Sequence, residues 1–251
     1  MAGQTHQVDI GDDDLLPPWG TLLDVAHATD PATWALVGGL MVQLHARRAG
    51  IPPPRPTKDV DLLVDITANN ATIASFAAAL RGIGFTAIVP PNAKSPLHRF
   101  ERGKEQIDVV VADHLPPKFK RPRLQMRPAF EAPGGEQALR RRDRFAITST
   151  TASVTVFAPD VLGALVSKGA AHLVDQRDRD RHIEDAAVLL ASVGSVGSLE
   201  LSVLSKNDRK RLTHLVDELA DDTARAWSLL DDSNRRTGQL TRDRLVLALH
   251  N

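Results

Sequence analysis

Residues 37–65 read VGGLMVQLHARRAGIPPPRPTKDVDLLVD, and the prediction of the fold begins with them. The stretch opens on a glycine pair and closes on a segment in which Asp59 and Asp61 are separated by a valine. Alternation of polar and apolar residues predicts a half-buried β-strand. Side chains at i and i+2 of a strand share one face, and their Cα atoms lie about 6–7 Å apart. The two carboxylates are therefore expected to reach one divalent metal ion together.

A third acid, Asp108, lies in the apolar segment QIDVVVAD, residues 106–113. Gly103 indicates a hairpin turn before it, which places Asp108 on a strand. An ionised carboxylate buried among apolar residues is costly unless a positive charge compensates it. Mg²⁺ prefers octahedral oxygen coordination and is rarely held by two carboxylates alone. We therefore predict that Asp108 shares a metal ion with Asp59 and Asp61.

The sequence resembles the polymerase-β-type nucleotidyltransferase superfamily in three features. These are a glycine pair after a strand, a strand with Asp-x-Asp, and a later strand with one Asp. The resemblance implies an α/β (α+β) nucleotidyltransferase fold, with a mixed sheet flanked by helices. It also implies an enzyme that moves an NMP from an NTP to an acceptor hydroxyl and releases pyrophosphate. In the family the three acids, here Asp59, Asp61 and Asp108, hold two Mg²⁺ (or Mn²⁺) ions. The amides of Gly38 and Gly39 would bind the nucleotide phosphates.

Two features depart from the family pattern. Leu40 stands where many relatives carry Ser or Thr, and 19 residues separate Gly39 from Asp59. The added length lies in a loop, residues 49–56, that is stiffened by prolines. The segment IPPPRPTK, residues 51–58, delivers three candidate nucleotide-binding residues to the edge of the metal strand: Arg55, Thr57 and Lys58. For the two cations, neutralisation of the acids and plain solvation are alternatives to substrate contact.

Composition limits the classes of protein that the chain can belong to. Of its 251 residues, 42% are hydrophobic and 25% charged, as in an ordinary globular protein of one or two domains. The formal net charge is zero, so any polyanion must be bound by a local patch. The absence of cysteine excludes disulfides and thiolate metal sites. No apolar run approaches the roughly 20 residues of a membrane span, and no signal peptide is evident, so a cytoplasmic protein without a membrane partner is expected.

The periodicity predicts three segments. Residues 1–14 are polar and are expected to form a flexible N-terminus. Residues 15–158 are expected to form one domain, which the resemblance described above implies to be the nucleotidyltransferase domain. Residues 159–251 form a C-terminal all-helical domain, because no strand pattern returns after Pro159.

Residues 118–144 carry nine basic side chains against three acidic ones. Such an excess is typical of a surface that binds a phosphate backbone, although a solvated face is the common alternative. The residues predicted to bind RNA are Lys118, Lys120, Arg121, Arg123, Arg140, Arg141 and Arg142.

Residues 162–190, LGALVSKGAAHLVDQRDRDRHIEDAAVLL, carry a second resemblance, to the AbiEii and MenT nucleotidyltransferase toxins. It implies that Lys168 contacts the triphosphate and that Asp185 supports the catalytic centre. It further implies tRNA as the acceptor and a cognate antitoxin protein as a partner. The alternatives are a surface lysine and an ordinary salt-bridged acid.

Two other functions compete with this one. A small-molecule nucleotidyltransferase, of the aminoglycoside type, would keep the three acids but would need an acidic pocket. A non-catalytic nucleotide-binding relative would be expected to lose one acid, and all three are present.

Overall fold

We describe a computed structural model of the chain, which covers residues 3–12, 16–52, 55–68, 72–119 and 122–250. Its contacts divide the chain into two compact units. The sheet unit comprises Met1–Met41 and Thr57–Pro159. The helical unit comprises Val42–Pro56 and Asp160–Asn251.

The sheet unit contains the strands and several helices. The strands are β1 (Thr5–Asp9), β2 (Trp34–Val37), β3 (Asp59–Val64), β4 (Thr86–Ala87), β5 (Arg99–Arg102), β6 (Glu105–Ala112), β7 (Arg123–Leu124), β8 (Arg127–Pro128), β9 (Phe130–Ala132), β10 (Arg142–Thr148) and β11 (Ser153–Pro159). The helices are α1 (Trp19–Ala28), α3 (Ile73–Gly82), α4 (Gly135–Arg140) and the start of α2 (Gly38–Arg48).

The main sheet is mixed and has the order β2-β3-β6-β5-β4. β3 and β6 are parallel, while β2 pairs antiparallel with β3, and β5 pairs antiparallel with β6. β9 runs parallel to the second half of β6. The central strands are apolar on their inner positions: Val60, Leu62, Ile107 and Val109 are fully buried. β3 and β6 are therefore neighbouring strands in the buried centre of the sheet.

A second sheet joins β1, β10 and β11. β1 lies parallel to β10, and Val8 on it is buried. The prediction of a flexible N-terminus over residues 1–14 is therefore wrong for Thr5–Asp9. The strand is short, its residues are largely polar, and its partner lies far along the chain, so its own sequence carries little strand signal.

The helical unit contains the rest of α2, then α5 (Val161–Val174), α6 (Asp180–Ala191), α7 (Lys206–Glu218) and α8 (Asp232–His250). α5 packs on α6 and α7, and α6 packs on α8. The first half of helix α8 is polar and carries Gly238. A Cβ at Gly238 would lie 2.8 Å from the Trp227 ring, so this glycine allows the helix to pack over the tryptophan.

The predicted fold class, a mixed α/β sheet followed by a helical region, is confirmed. Within the described residues, no helix has an apolar stretch long enough to cross a membrane.

Candidate functional site

The three predicted metal ligands meet in the sheet unit. In the parallel pairing of β3 and β6, Asp61 lies directly beside Asp108, and Asp59 precedes Asp61 by two residues on the same face. One carboxylate oxygen from each acid lies within 4.8 Å of the others. Asp108 is 8% exposed, whereas Asp59 and Asp61 are half-buried. The three carboxylates could therefore hold a metal ion together.

Arg99 supplies a positive charge beside this acid cluster. Because β5 and β6 form a hairpin, Arg99 pairs directly with Asp108. Its Nε and Nη2 donate to the two oxygens of Asp108 at 3.0 and 2.9 Å, a bidentate arrangement. Hydrogen bonding to Asp108 raises the pKa of the Arg99 guanidinium, although burial opposes the shift. The sequence analysis expected a metal ion to compensate Asp108, and the structure adds a protein cation that does so.

Gly38 places the start of α2 against the acid cluster. Its φ is +70°, and a Cβ there would lie 1.7 Å from Oδ2 of Asp61. The first amides of a helix have no intrahelical acceptor and favour a negative group. Gly39 follows within the first turn, whereas Leu40 is fully buried. Leu40 therefore belongs to the core.

The substitution Gly38→Ala tests this contact, with Gly50→Ala as its control. Both glycines have a φ of +70°, but a Cβ at Gly50 would meet nothing within 4 Å. We expect each variant to lose about 1–2 kcal/mol of unfolding free energy from the left-handed conformation. Gly38→Ala should lose more in urea denaturation, and it should weaken Mn²⁺ binding because the methyl group displaces Asp61. Equal stability losses and unchanged Mn²⁺ affinity would contradict the contact.

The two polar residues before Asp59 differ in their surroundings. Oγ1 of Thr57 donates to Oδ1 of Asp59 at 3.0 Å, so it orients a predicted metal ligand. Lys58 is exposed.

Asp185, Lys168 and Arg55 form a second charged cluster, inside the helical unit. Nζ of Lys168 lies 2.7 Å from Oδ2 of Asp185. Arg55 donates from Nε and Nη2 to Oδ1 at 3.0 and 2.8 Å, and from Nη2 to Oδ2 at 2.8 Å. Asp185 is 2% exposed and Lys168 is 5% exposed. The pair is thus buried, which excludes the alternative of a surface lysine.

The charges in this cluster keep Asp185 ionised. Burial by itself would raise the pKa of Asp185, but the attraction of Lys168 and the hydrogen bonds from Arg55 outweigh it and lower the pKa. The two cations predicted to contact the triphosphate, Arg55 and Lys168, both bind this carboxylate. The sequence analysis placed Arg55 in a loop at the edge of the metal strand and did not connect it with Asp185.

Comparison with solved structures finds a protein of similar fold. The match is the crystal structure of an antigenic nucleotidyltransferase-like protein from Paracoccidioides brasiliensis, 19% identical, with a TM-score of 0.50 over 84% of this chain and 90% of that chain. The chain has a nucleotidyltransferase fold. No protein-family model matches the chain, and no curated protein matches it significantly.

The basic residues predicted to bind RNA occupy several elements of the nucleotidyltransferase fold. Lys118, Arg123 and Arg140 are exposed, and Arg140 lies 3.8 Å from Glu136. Arg141 is half-buried at the end of α4. Lys120 and Arg121 lie outside the described residues.

Arg142 differs from an open surface cation. It begins β10 and donates from Nη1 to the carbonyl oxygen of Ala32 at 3.1 Å, while its Nη2 lies 3.5 Å from Asp65. Burial lowers the pKa of its guanidinium. The run of three arginines therefore does not act as one uniform patch.

His182, on α6, is expected to make the protein sensitive to acid. Burial, followed by the charge of Lys168, lowers its pKa from 6.5 to about 4, despite a hydrogen bond with Asp175. His182 is therefore protonated near pH 6.5 in the unfolded chain but only near pH 4 in the folded chain. Between these pH values the unfolded chain binds one more proton than the folded chain. Stability should fall as the pH is lowered through this window, by about 3 kcal/mol in total.

Urea denaturation between pH 7 and pH 4, with EDTA present, measures this loss. The variant His182→Gln should show a flatter pH profile than the wild type. His27→Gln, which changes a histidine bonded to a backbone carbonyl in its own helix, should keep the wild-type slope. A wild-type slope in His182→Gln would contradict the assignment.

Proposed function

We propose that the chain is a metal-dependent nucleotidyltransferase that moves an NMP from an NTP to an acceptor hydroxyl. The observation that carries the proposal is the meeting of Asp59, Asp61 and Asp108 within 4.8 Å, with the start of α2 against Asp61 at Gly38. Carboxylates, a divalent-ion site and free backbone amides are the groups that phosphoryl transfer needs. The nucleotidyltransferase-like neighbour supports the same general activity.

The donor set of this site fits hard cations. Three carboxylates offer only oxygen, which suits Mg²⁺ or Mn²⁺. Two such ions, when bound, would polarise phosphate oxygens and stabilise the developing charge. Asp59 and Asp61 would hold the metal on the nucleotide, with Thr57 orienting Asp59.

Asp108 would complete the site and accept the proton of the acceptor hydroxyl. In the structure both of its oxygens bind Arg99, so this role requires Arg99 to release them. The Arg99 side chain is 40% exposed and can turn towards solvent. Once released, the guanidinium would be available to a phosphate, which it can bind through two parallel hydrogen bonds.

We further propose tRNA as the acceptor, a toxin role and a cognate antitoxin as partner, in the cytoplasm. The support is the resemblance of residues 162–190 to AbiEii and MenT toxins, in which Lys168 and Asp185 would serve the triphosphate and the catalytic centre. Exposed Lys118, Arg123 and Arg140 offer cations for an RNA backbone.

The test incubates the purified protein with Mg²⁺, total tRNA and each of the four α-³²P-labelled NTPs in turn. The expected result is label in RNA with one or more nucleotides for the wild type, and none for Asp59→Ala/Asp61→Ala. Glu131→Gln, an exposed acid on β9 of the same sheet, should behave as the wild type. If RNA takes up no label, the tRNA proposal fails. Repeating the assay with small-molecule and protein acceptors then tests the transferase activity itself.

A further inference from the structure

Helices α5 and α7 of the helical unit approach each other closely. A Cβ at Gly169 would lie 2.4 Å from the carbonyl oxygen of Arg211, so glycine permits this approach. His172 and His214 each lie three residues further along their helices, about one turn. Their rings stack with centroids 5.0 Å apart and planes inclined by 30°. The close crossing thus places two imidazoles in contact.

The ring nitrogens face each other, and a carboxylate stands beside them. Nδ1 of His172 lies 2.9 Å from Nε2 of His214. Glu218 follows His214 by one turn of α7, with its Oε1 3.9 Å from the same Nε2. One ligand atom from each of the three side chains lies within 4.8 Å of the other two. The cluster therefore offers two nitrogens and one oxygen to a single point.

We propose that His172, His214 and Glu218 bind a zinc ion at the crossing of α5 and α7. Zn²⁺ accepts imidazole nitrogen and carboxylate oxygen, usually in a tetrahedral arrangement. Bonds of about 2.0–2.1 Å in that geometry place ligand atoms roughly 3.3 Å apart. The two nitrogens would separate slightly, and Glu218, whose side chain is 44% exposed, would move inward. A water molecule or an external ligand would take the fourth position.

The contact between the two ring nitrogens shows what zinc would replace. At 2.9 Å, Nδ1 of His172 and Nε2 of His214 share one proton in a hydrogen bond. A nitrogen that binds zinc must be unprotonated, so the zinc ion would take the place of that proton. Glu218 would supply a negative charge that partly offsets the charge of the zinc ion.

This site differs in chemistry from the acid cluster on β3 and β6. That cluster offers oxygen alone, whereas imidazole favours Zn²⁺ over Mg²⁺. The zinc ion would cross-link α7 and α5, the helix that carries Lys168. The inference does not depend on the proposed nucleotidyl transfer.

Zinc titration of the full chain tests the proposal. The protein is stripped of metal with EDTA, and Zn²⁺ is added in competition with a chromophoric chelator. Every variant carries Asp59→Asn/Asp61→Asn, so that the acid cluster contributes little. We expect one equivalent of zinc to bind in this background, and Co²⁺ to give the intense visible absorption of a tetrahedral site.

Ligand substitutions locate the zinc ion. We expect His214→Gln to weaken zinc binding at least about a hundredfold and Glu218→Gln at least about tenfold. Substitution of residues that only support the ligands of a metal site already lowers metal affinity by about 10–100-fold. His250→Gln, an exposed histidine bonded to a carbonyl of its own helix, should leave the affinity unchanged. Glu218 is exposed, so its variant is informative even if a histidine variant folds poorly. Absence of stoichiometric zinc, or wild-type affinity in Glu218→Gln and His214→Gln, would overturn the proposal.

Discussion

Asp61→Ala is expected to reduce nucleotidyl transfer at least about a thousandfold, roughly 4 kcal/mol of transition-state stabilisation. Asp61 lies between Asp108 on the neighbouring strand and Gly38 at the start of α2. Removing its carboxylate takes one of the three acids from the proposed metal site. It also removes the group that stands against the first helical turn. No other acid in β3 could replace it, because Asp59 already belongs to the cluster.

The first measurement is the initial rate of nucleotidyl transfer with the nucleotide that the labelling assay identifies. The second is the affinity for Mn²⁺, followed by electron paramagnetic resonance. Asp61→Asn preserves the shape of the side chain and should lose both rate and Mn²⁺ affinity. Glu131→Gln again serves as the control, because it changes an exposed acid of the same sheet. A fully active Asp61→Asn variant would remove Asp61 from the catalytic machinery.

Asp185→Leu is expected to lower the free energy of unfolding by about 3–5 kcal/mol. The substitution leaves the ammonium of Lys168, which is 5% exposed, without the carboxylate that it binds at 2.7 Å. Lys168→Met should cost less, about 1–3 kcal/mol, because Asp185 keeps its hydrogen bonds from Arg55. The order of the two losses follows from the geometry, since the acid has two cationic partners.

The double variant Asp185→Leu/Lys168→Met distinguishes a buried charge from lost packing. It should recover part of the loss of Asp185→Leu, because no ammonium then stays buried alone. Asp178→Ala, which removes a largely exposed acid 3.8 Å from Arg181, should change stability by less than about 0.5 kcal/mol. Urea denaturation at pH 7 measures all four variants. A double variant no more stable than Asp185→Leu would contradict the buried-charge explanation.

The acid cluster could be predicted because each of its members carries a local signal. Asp59 and Asp61 share a face through strand periodicity, and Asp108 stands out as a charge among apolar residues. Arg99 could also have been found. With Gly103 and Lys104 as a two-residue turn, Arg102 pairs with Glu105, and the same register brings Arg99 opposite Asp108.

Other features depend on residues that are distant along the chain. Arg55 and Asp185 are separated by 130 positions, and no local pattern links a proline-rich loop to a later helix. The histidine pair likewise depends on the crossing of α5 and α7 at Gly169. Periodicity identifies each helix and its buried face, but it does not fix which turn of one helix meets which turn of another.

The sheet unit can finish folding only after β10 has been synthesised, because β1 pairs with it. Thr5 lies beside Arg144, 139 residues later in the chain. At synthesis rates of about 5–20 residues per second, β1 waits roughly 7–28 seconds for its partner to be made. Contacts between such distant segments also slow spontaneous folding, because a long loop must close first. During translation, β1 therefore leaves the ribosome well before the sheet that it completes.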